Sequence, residues 1–390
     1  MSAVALAIVT NGSVGWKTVR TRWENDLADY SPTLHHIEDH ARWASRLTEN
    51  HAKSVGLALS GRATAREAIR SGANIVLLST LQNAPFMPLP PGVNYAVYGD
   101  CTTAQLAELY GGKTLGFPGS AVNARLRRLV DHGCYFLCMS EWYRDALRRE
   151  LGVSEDRLVM LPFYVDTEKW KPAEREAPNA RPQVLFIGGD FRRKGGDVVY
   201  ELAGLERFAN VDFHVVSPYA ETGPPNVRVH RSLAPESPDL VRLTAASDIF
   251  ILPTRADTSS LAAMEAAACG LPAIVTRCGG IPEIVLDGST GSVLDAPSVD
   301  AFSEELSAYL ADPSMVAERG RNARQHILRN YSKTVHMAAL RDVIAQAAAE
   351  VSGNRRAPAC TGLTASPGTA ACSADRTPPG QARTTSERRG

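Results

Sequence analysis

Residues 249–285 read IFILPTRADTSSLAAMEAAACGLPAIVTRCGGIPEIV. The apolar run Ile249 to Leu252 has the character of a buried parallel strand and stops at Pro253. A polar loop, Thr254 to Thr258, follows it. Ser259 and Ser260 are N-cap candidates for an alanine-rich helix over Leu261 to Cys269. Gly270 and Pro272 close that helix, and a second strand begins at Ala273. The unit is strand, loop, helix, strand, with the helix N-terminus turned towards the loop.

A helix N-terminus carries unpaired N–H groups and partial positive charge, so it favours phosphate. Two carboxylates bracket this one, Asp257 in the loop and Glu265 on the helix, eight positions apart. Carboxylates repel phosphate, so beside it they are suited to accept hydrogen bonds from hydroxyls. A ligand with both a diphosphate and sugar diols meets that demand. Taken alone the spacing is also that of a capped surface helix with Glu265 solvated.

The frame around the two carboxylates resembles the signature of the retaining GT-B glycosyltransferases of the family-4 type. Pro253, Thr254, Glu265, Ala266, Ala268, Gly270, Pro272, Gly279, Gly280 and Glu283 all fall in register with it. Two departures stand out. Asp257 occupies a position where the family carries Glu, and Thr258, Ser259 and Ser260 replace the usual Gly-Phe-Gly. The resemblance implies an α/β fold, GT-B, with two Rossmann-like domains around a central cleft.

Working outward, FIGGDFRRKGGD at 186–197 is a strand running into a glycine-rich basic loop and then a helix. Glycines let backbone approach a phosphate closely, and Arg192, Arg193 and Lys194 supply charge. The stretch resembles the family loop whose Arg and Lys clamp the donor diphosphate, with Gly188 and Gly189 at its start. Lys194 and Gly195 match the family's Lys-Gly. Gly189 stands where the family has Arg, so either Arg192 or Arg193 would take over. SLAPES, 232–237, lies between a short strand and a helix, where relatives hold the nucleobase through backbone groups, and Leu233 is the candidate there.

The first half alternates strands and helices: strands at Val4–Val9, Thr33–Ile37, Asn74–Ser79, Tyr95–Tyr98 and Tyr135–Met139, and helices near 18–28, 62–70, 104–109, 122–131 and 142–151. Alternation of this kind implies a parallel sheet covered on both faces, with ligands beyond the C-terminal strand ends. NGSVGWKT, 11–18, sits where the family has its first glycine-rich loop, and Gly12 and Gly15 would allow close approach of donor or acceptor. An ordinary strand-to-helix turn reads the same way. Asp100, with Thr102 and Thr103, follows a strand and points to the same cleft, although helix capping is an equal reading. VNARLRRLVD, 122–131, is basic and amphipathic, so peripheral membrane contact is the most it suggests. Solvated charge on a surface helix is the commoner meaning.

Residues 162–182 hold four prolines and many charges. The resulting expectation is an acceptor-side domain over 1–165, a linker over 166–182 and a nucleotide-sugar domain over 183–330. A closing helix, 331–351, follows, and the resemblance implies that it crosses back to the first domain. The segment 352–390 lacks large apolar side chains and is expected to be disordered. Lys plus Arg equals Asp plus Glu, 42 each, which gives no reason to expect nucleic acid as a partner. No apolar run reaches the ~18 residues of a membrane span. Seven cysteines without framework spacing suit a reducing compartment, and the expected location is cytoplasmic.

The expected activity is transfer of a sugar, with retention, from a nucleotide-diphosphate sugar to a hydroxyl acceptor. Arg193, Lys194 and the amides of Ser260 and Leu261 would stabilise charge on the departing diphosphate. Glu265 would hold the ribose diol, Asp257 the sugar hydroxyls, and Ser259 completes the donor set. No metal ligands and no cofactor beyond the nucleotide sugar are expected. A non-catalytic nucleotide-sugar-binding relative is the alternative, kept alive by Asp257 and Gly189. A sugar-phosphate phosphorylase or a nucleotide-sugar epimerase would use the same fold differently.

Overall fold

Short apolar runs form two parallel six-stranded sheets in this computed structural model, which describes residues 4–10, 14–37, 50–111, 119–174 and 179–353. The first lobe comprises β1 (Leu6–Thr10), α1 (Val14–Asp26), β2 (Thr33–His36), α2 (Asn50–Arg70), β3 (Ile75–Ser79), β4 (Asn94–Gly99), α3 (Thr103–Leu109), α4 (Gly119–Asp131), β5 (Tyr135–Cys138), α5 (Glu141–Leu151) and β6 (Leu158–Met160). Its sheet order is β2-β1-β3-β4-β5-β6. The second lobe comprises β7 (Gln183–Ile187), α6 (Gly196–Ala203), β8 (Asp212–Val216), β9 (Val227–His230), α7 (Pro238–Ala246), β10 (Ile249–Leu252), α8 (Leu261–Ala268), β11 (Ala273–Thr276), α9 (Ile281–Ile284) and β12 (Gly291–Leu294). Then come α10 (Val299–Ala311), α11 (Pro313–Asn330) and α12 (Lys333–Val351). This sheet runs β12-β11-β10-β7-β8-β9. In each, the strand order reverses beside the first strand, which opens a crevice at the C-terminal strand ends.

Strands β1, β3, β4, β5, β10 and β11 are buried along their whole length, as parallel strands covered by helices on both faces must be. Side chains supply the orphan amides at the helix starts. Ser140, Ser237, Ser260, Ser298 and Ser332 each accept from a first-turn amide, and Thr102 with Gln105 forms a full capping box on α3.

Three elements differ from the sequence expectation. Helix α2 begins at Asn50, not near Arg62, although Ser54, Gly56, Ser60 and Gly61 read as helix breakers. Ser60 Oγ and Thr64 Oγ1 instead donate to the carbonyls of Gly56 (2.8 Å) and Ser60 (2.9 Å) within the helix. The helix that follows the basic loop is short: α6 stops at Gly204, and Glu206–Phe208 forms a separate 3-10 turn. Strand β6, three residues at the sheet edge, carries too short a pattern to announce itself.

Both sheets lie within one compact unit, residues 1–357. Trp170, in the proline-rich connection, is buried in the core of the second lobe. Helix α12 packs Met337, Leu340, Val343, Ile344 and Ala347 with Leu6, Ile8, Ile75 and Leu77 of the first sheet. Arg157, just before β6, pairs with Glu350 at 2.9 Å near the end of α12. Residues 354–390, most of the tail expected to be disordered, lie outside the described residues.

Candidate active site in the interlobe cleft

The loops after β7 and β10 lie against each other and carry most of the expected donor residues. Gly195 has φ 84°, and a Cβ there would stand 2.0 Å from the Pro253 carbonyl oxygen. Only glycine fits that left-handed turn at such close approach. The contact brings Lys194 to Asp257, where its ammonium pairs with the carboxylate. Arg193 donates to the Ala256 carbonyl at 2.5 Å and to Asp190 at 3.2 Å. Arg255 donates through its backbone N–H to the Arg193 carbonyl at 2.9 Å and pairs with Asp197 at 2.8 Å.

Asp257 is buried, 8% exposed, and its loop is held from below. Its amide donates to Cys278 Sγ at 3.1 Å, and the Cys278 thiol donates back to its carbonyl at 3.4 Å. Gly279, at φ 52°, lies so close beneath that a Cβ would meet the Asp257 carbonyl oxygen at 2.4 Å. The Gly280 amide donates to the Thr258 carbonyl at 2.9 Å. From the opposite lobe Asp100 accepts from Thr258 Oγ1 at 2.9 Å. Burial raises the Asp100 carboxyl above its usual range, the Thr258 hydrogen bond works against this, and the charge of Asp257 adds to it.

Ser260 caps α8 by accepting from the Ala263 amide at 3.2 Å. The helix start leaves the amides of Leu261 and Ala262 without an intrahelical partner. Farther along α8, Glu265 is 8% exposed. Burial pushes its carboxyl up to about 8, with the charge of Arg22 pulling down and that of Glu236 pushing up. Arg22 on α1 pairs with Glu236 at 2.7 Å, and Lys169 completes the cluster at 3.1 Å.

Arg22, Lys169 and Glu236 were not legible as site residues, because nothing local ties an α1 arginine to a loop of the other lobe. Glu236 adopts φ 59°, a conformation uncommon outside glycine, and its two ion pairs hold it there.

Arg193 reaches the Asp257 loop, whereas Arg192 is exposed and contributes its carbonyl to Arg255 at 2.6 Å. Gly188 is packed by Phe186 and Lys194, and Gly189 is exposed. Leu233 packs its side chain against the second-lobe core, so its side chain is structural. Ser259 is half-buried before the cap, and Leu261 packs partly on the core. Gly15 is corrected: it lies in the first turn of α1, not in a loop, because the helix starts at Val14. Gly12 lies outside the described residues. Helix α4 buries Val122, Leu126 and Leu129 in the first-lobe core, which leaves its apolar face unavailable to a bilayer. Among the described residues no helix is long and apolar enough to cross a membrane.

Residues 167–326 match the family described as glycosyl transferases group 1. These residues are a group 1 glycosyltransferase domain. Over 247 residues the chain is 30% identical to a GDP-mannose-dependent alpha-(1-6)-phosphatidylinositol monomannoside mannosyltransferase of Mycolicibacterium smegmatis, covering 56% of this chain and 64% of that one. It is 28% identical over 224 residues to a D-inositol 3-phosphate glycosyltransferase of Arthrobacter, covering 51% and 52%. The chain thus spans less than two thirds of the length of these relatives. Among solved structures, sucrose-phosphate synthase of Thermosynechococcus elongatus superposes with a TM-score of 0.68 at 15% identity, covering 88% of this chain and 98% of that one. The fold is α/β, of the GT-B type, with a lobe on each side of the cleft.

Proposed function

We propose that this protein is a retaining glycosyltransferase that moves a sugar from a nucleotide-diphosphate sugar to a hydroxyl acceptor. The observation that carries the reading is the Lys194–Asp257 pair at the mouth of α8, in the same group 1 domain as the buried carboxyl of Glu265. Lys194, Arg193 and the amides of Ser260 and Leu261 supply positive charge where the diphosphate leaves. Asp257 accepts from hydroxyls of the transferred sugar. A protonated Glu265 both donates to and accepts from the ribose diol, so it serves a neutral ligand better than a fixed charge would.

The barrier is heterolysis of the bond between the anomeric carbon and the diphosphate. The cationic clamp lowers it with no metal and no cofactor, and the reading assigns none of the described residues as an enzymic nucleophile. The acceptor hydroxyl then attacks from the face the diphosphate leaves and passes its proton to the departing phosphate oxygen, which retains configuration. The first lobe, with Asp100, shapes the acceptor side. The relatives are named for a GDP-mannose donor and for inositol-containing acceptors, which supports a nucleotide sugar and a polyol here. The described cysteines are free and buried, which supports a reducing, cytoplasmic setting.

The test is incubation with UDP-, GDP- and ADP-hexoses and a polyol panel, with nucleotide release and product anomer read by NMR. Nucleotide release with an inverted product would sink the retaining mechanism. No release with any donor would sink the enzyme.

A further inference from the structure

Tyr110 closes α3 at its C-terminal end and remains 41% exposed. Its neighbour Leu109 packs against the core of the second lobe, so the end of α3 reaches across the cleft. Tyr110 itself lies in the field of Arg193 and Asp257 from the second lobe and of Asp100 and Cys101 from the first. Its hydroxyl makes no hydrogen bond to the described residues. Leu109 therefore supplies the packing, while Tyr110 stays partly exposed and within the electrostatic reach of Asp100 and Asp257.

That combination has a chemical meaning. A pyranose or cyclitol ring presents C–H bonds on its faces and hydroxyls at its rim. An aromatic face takes the first, and carboxylates accept from the second. We propose that Tyr110 is a specificity-determining residue of the acceptor site, stacking on a cyclic polyol and directing its reacting hydroxyl towards the donor. An open-chain polyol or water has no such face and gains nothing from the ring. The proposal rests on the donor-site reading above.

The test uses the full chain with the nucleotide sugar that binds it, in wild type, Tyr110→Ala and Tyr110→Phe. Transfer is measured to methyl α-D-glucopyranoside, methyl α-D-mannopyranoside and myo-inositol as rings, to glycerol as an open chain, and to water as donor hydrolysis. Donor affinity is read separately by calorimetry. Tyr110→Ala is expected to raise the KM for the ring acceptor at least about tenfold, while donor affinity, hydrolysis and glycerol transfer stay within about twofold. Tyr110→Phe keeps the stacking face and should stay within about threefold.

An unchanged ring-acceptor KM in Tyr110→Ala, an equal loss with glycerol, or a loss of donor affinity would overturn the proposal. So would wild-type transfer to none of the rings. Wild-type protein that binds no nucleotide sugar is a different result, and it withdraws the donor-site reading itself.

Discussion

The carboxylate of Glu283, in α9 of the second lobe, accepts from the amides of Glu141 at 2.7 Å and Trp142 at 2.9 Å in the first turn of α5. One lobe thus caps a helix of the other. Gly280 lies against Ser140 in the same contact, and its amide holds the Thr258 carbonyl. Closure of the cleft is thereby tied to the loop that carries Asp257. Hydrogen bonds to a charged group contribute about 1.5–3 kcal/mol each. Glu283→Ala should speed hydrogen exchange at the Glu141 and Trp142 amides and weaken donor binding, while exchange in the sheet cores is unchanged. Glu283→Gln, which keeps one acceptor oxygen, should lie between. Exchange at those two amides equal to wild type would remove the latch.

On the proposed function, Asp257→Asn and Lys194→Ala should each lower transfer by about a hundredfold or more. Circular dichroism and the cooperative melt should survive. Lys194→Ala also leaves Asp257 buried without its cation, so some stability is expected to go with the activity.

Gly279→Ala should be among the most damaging small substitutions. The added Cβ meets the Asp257 and Thr258 carbonyl oxygens at 2.4 and 2.9 Å, in a backbone conformation that alanine disfavours. A loss of about 2 kcal/mol or more, read by urea denaturation, is expected with displacement of the Asp257 loop. A neutral result would show that the loop gives way.

Two buried groups should tilt the stability of the free protein with pH in opposite directions. Glu265 has a folded pKa of about 8 against an ordinary 4.5, so the fold binds its proton more tightly. Its contribution is complete below 4.5 and is lost as pH rises through 8. His336, buried between Trp23 and the Pro162 carbonyl, is pushed down to about 4 from 6.5. Its contribution is complete above 6.5 and is lost as pH falls through 4. Glu265→Gln should remove the fall between pH 4.5 and 8, worth more than about 1 kcal/mol, and leave the His336 rise between pH 4 and 6.5 standing alone. A variant curve that still falls between pH 4.5 and 8 as the wild type does would assign that fall elsewhere.

The second-lobe frame was legible because its signals are local. Ile249–Leu252 is a continuous apolar run, Ser260 is a capping residue, and Gly270 and Pro272 terminate a helix. The contact of Lys194 with Asp257 was only implied, since it spans sixty-three positions and depends on Gly195 passing under Pro253. Arg22 and Glu236, two hundred and fourteen positions apart, left no local trace. Gly15 misled because a glycine after a strand looks like a loop, whereas α1 had already begun. Helix α2 was foreshortened because serine and glycine propensities weigh against it, and its side-chain-to-carbonyl bonds are visible only in the folded chain.

The central claim is that Lys194 and its neighbours bind a nucleotide-diphosphate sugar. The most direct measurement is a thermal-shift screen of UDP-, GDP- and ADP-sugars on wild type and Lys194→Ala. A ligand that binds only the folded state raises the midpoint by mass action. One nucleotide class should raise the wild-type midpoint and lose most of that shift in the variant. No shift with any of the three, or a shift that Lys194→Ala leaves intact, would contradict it.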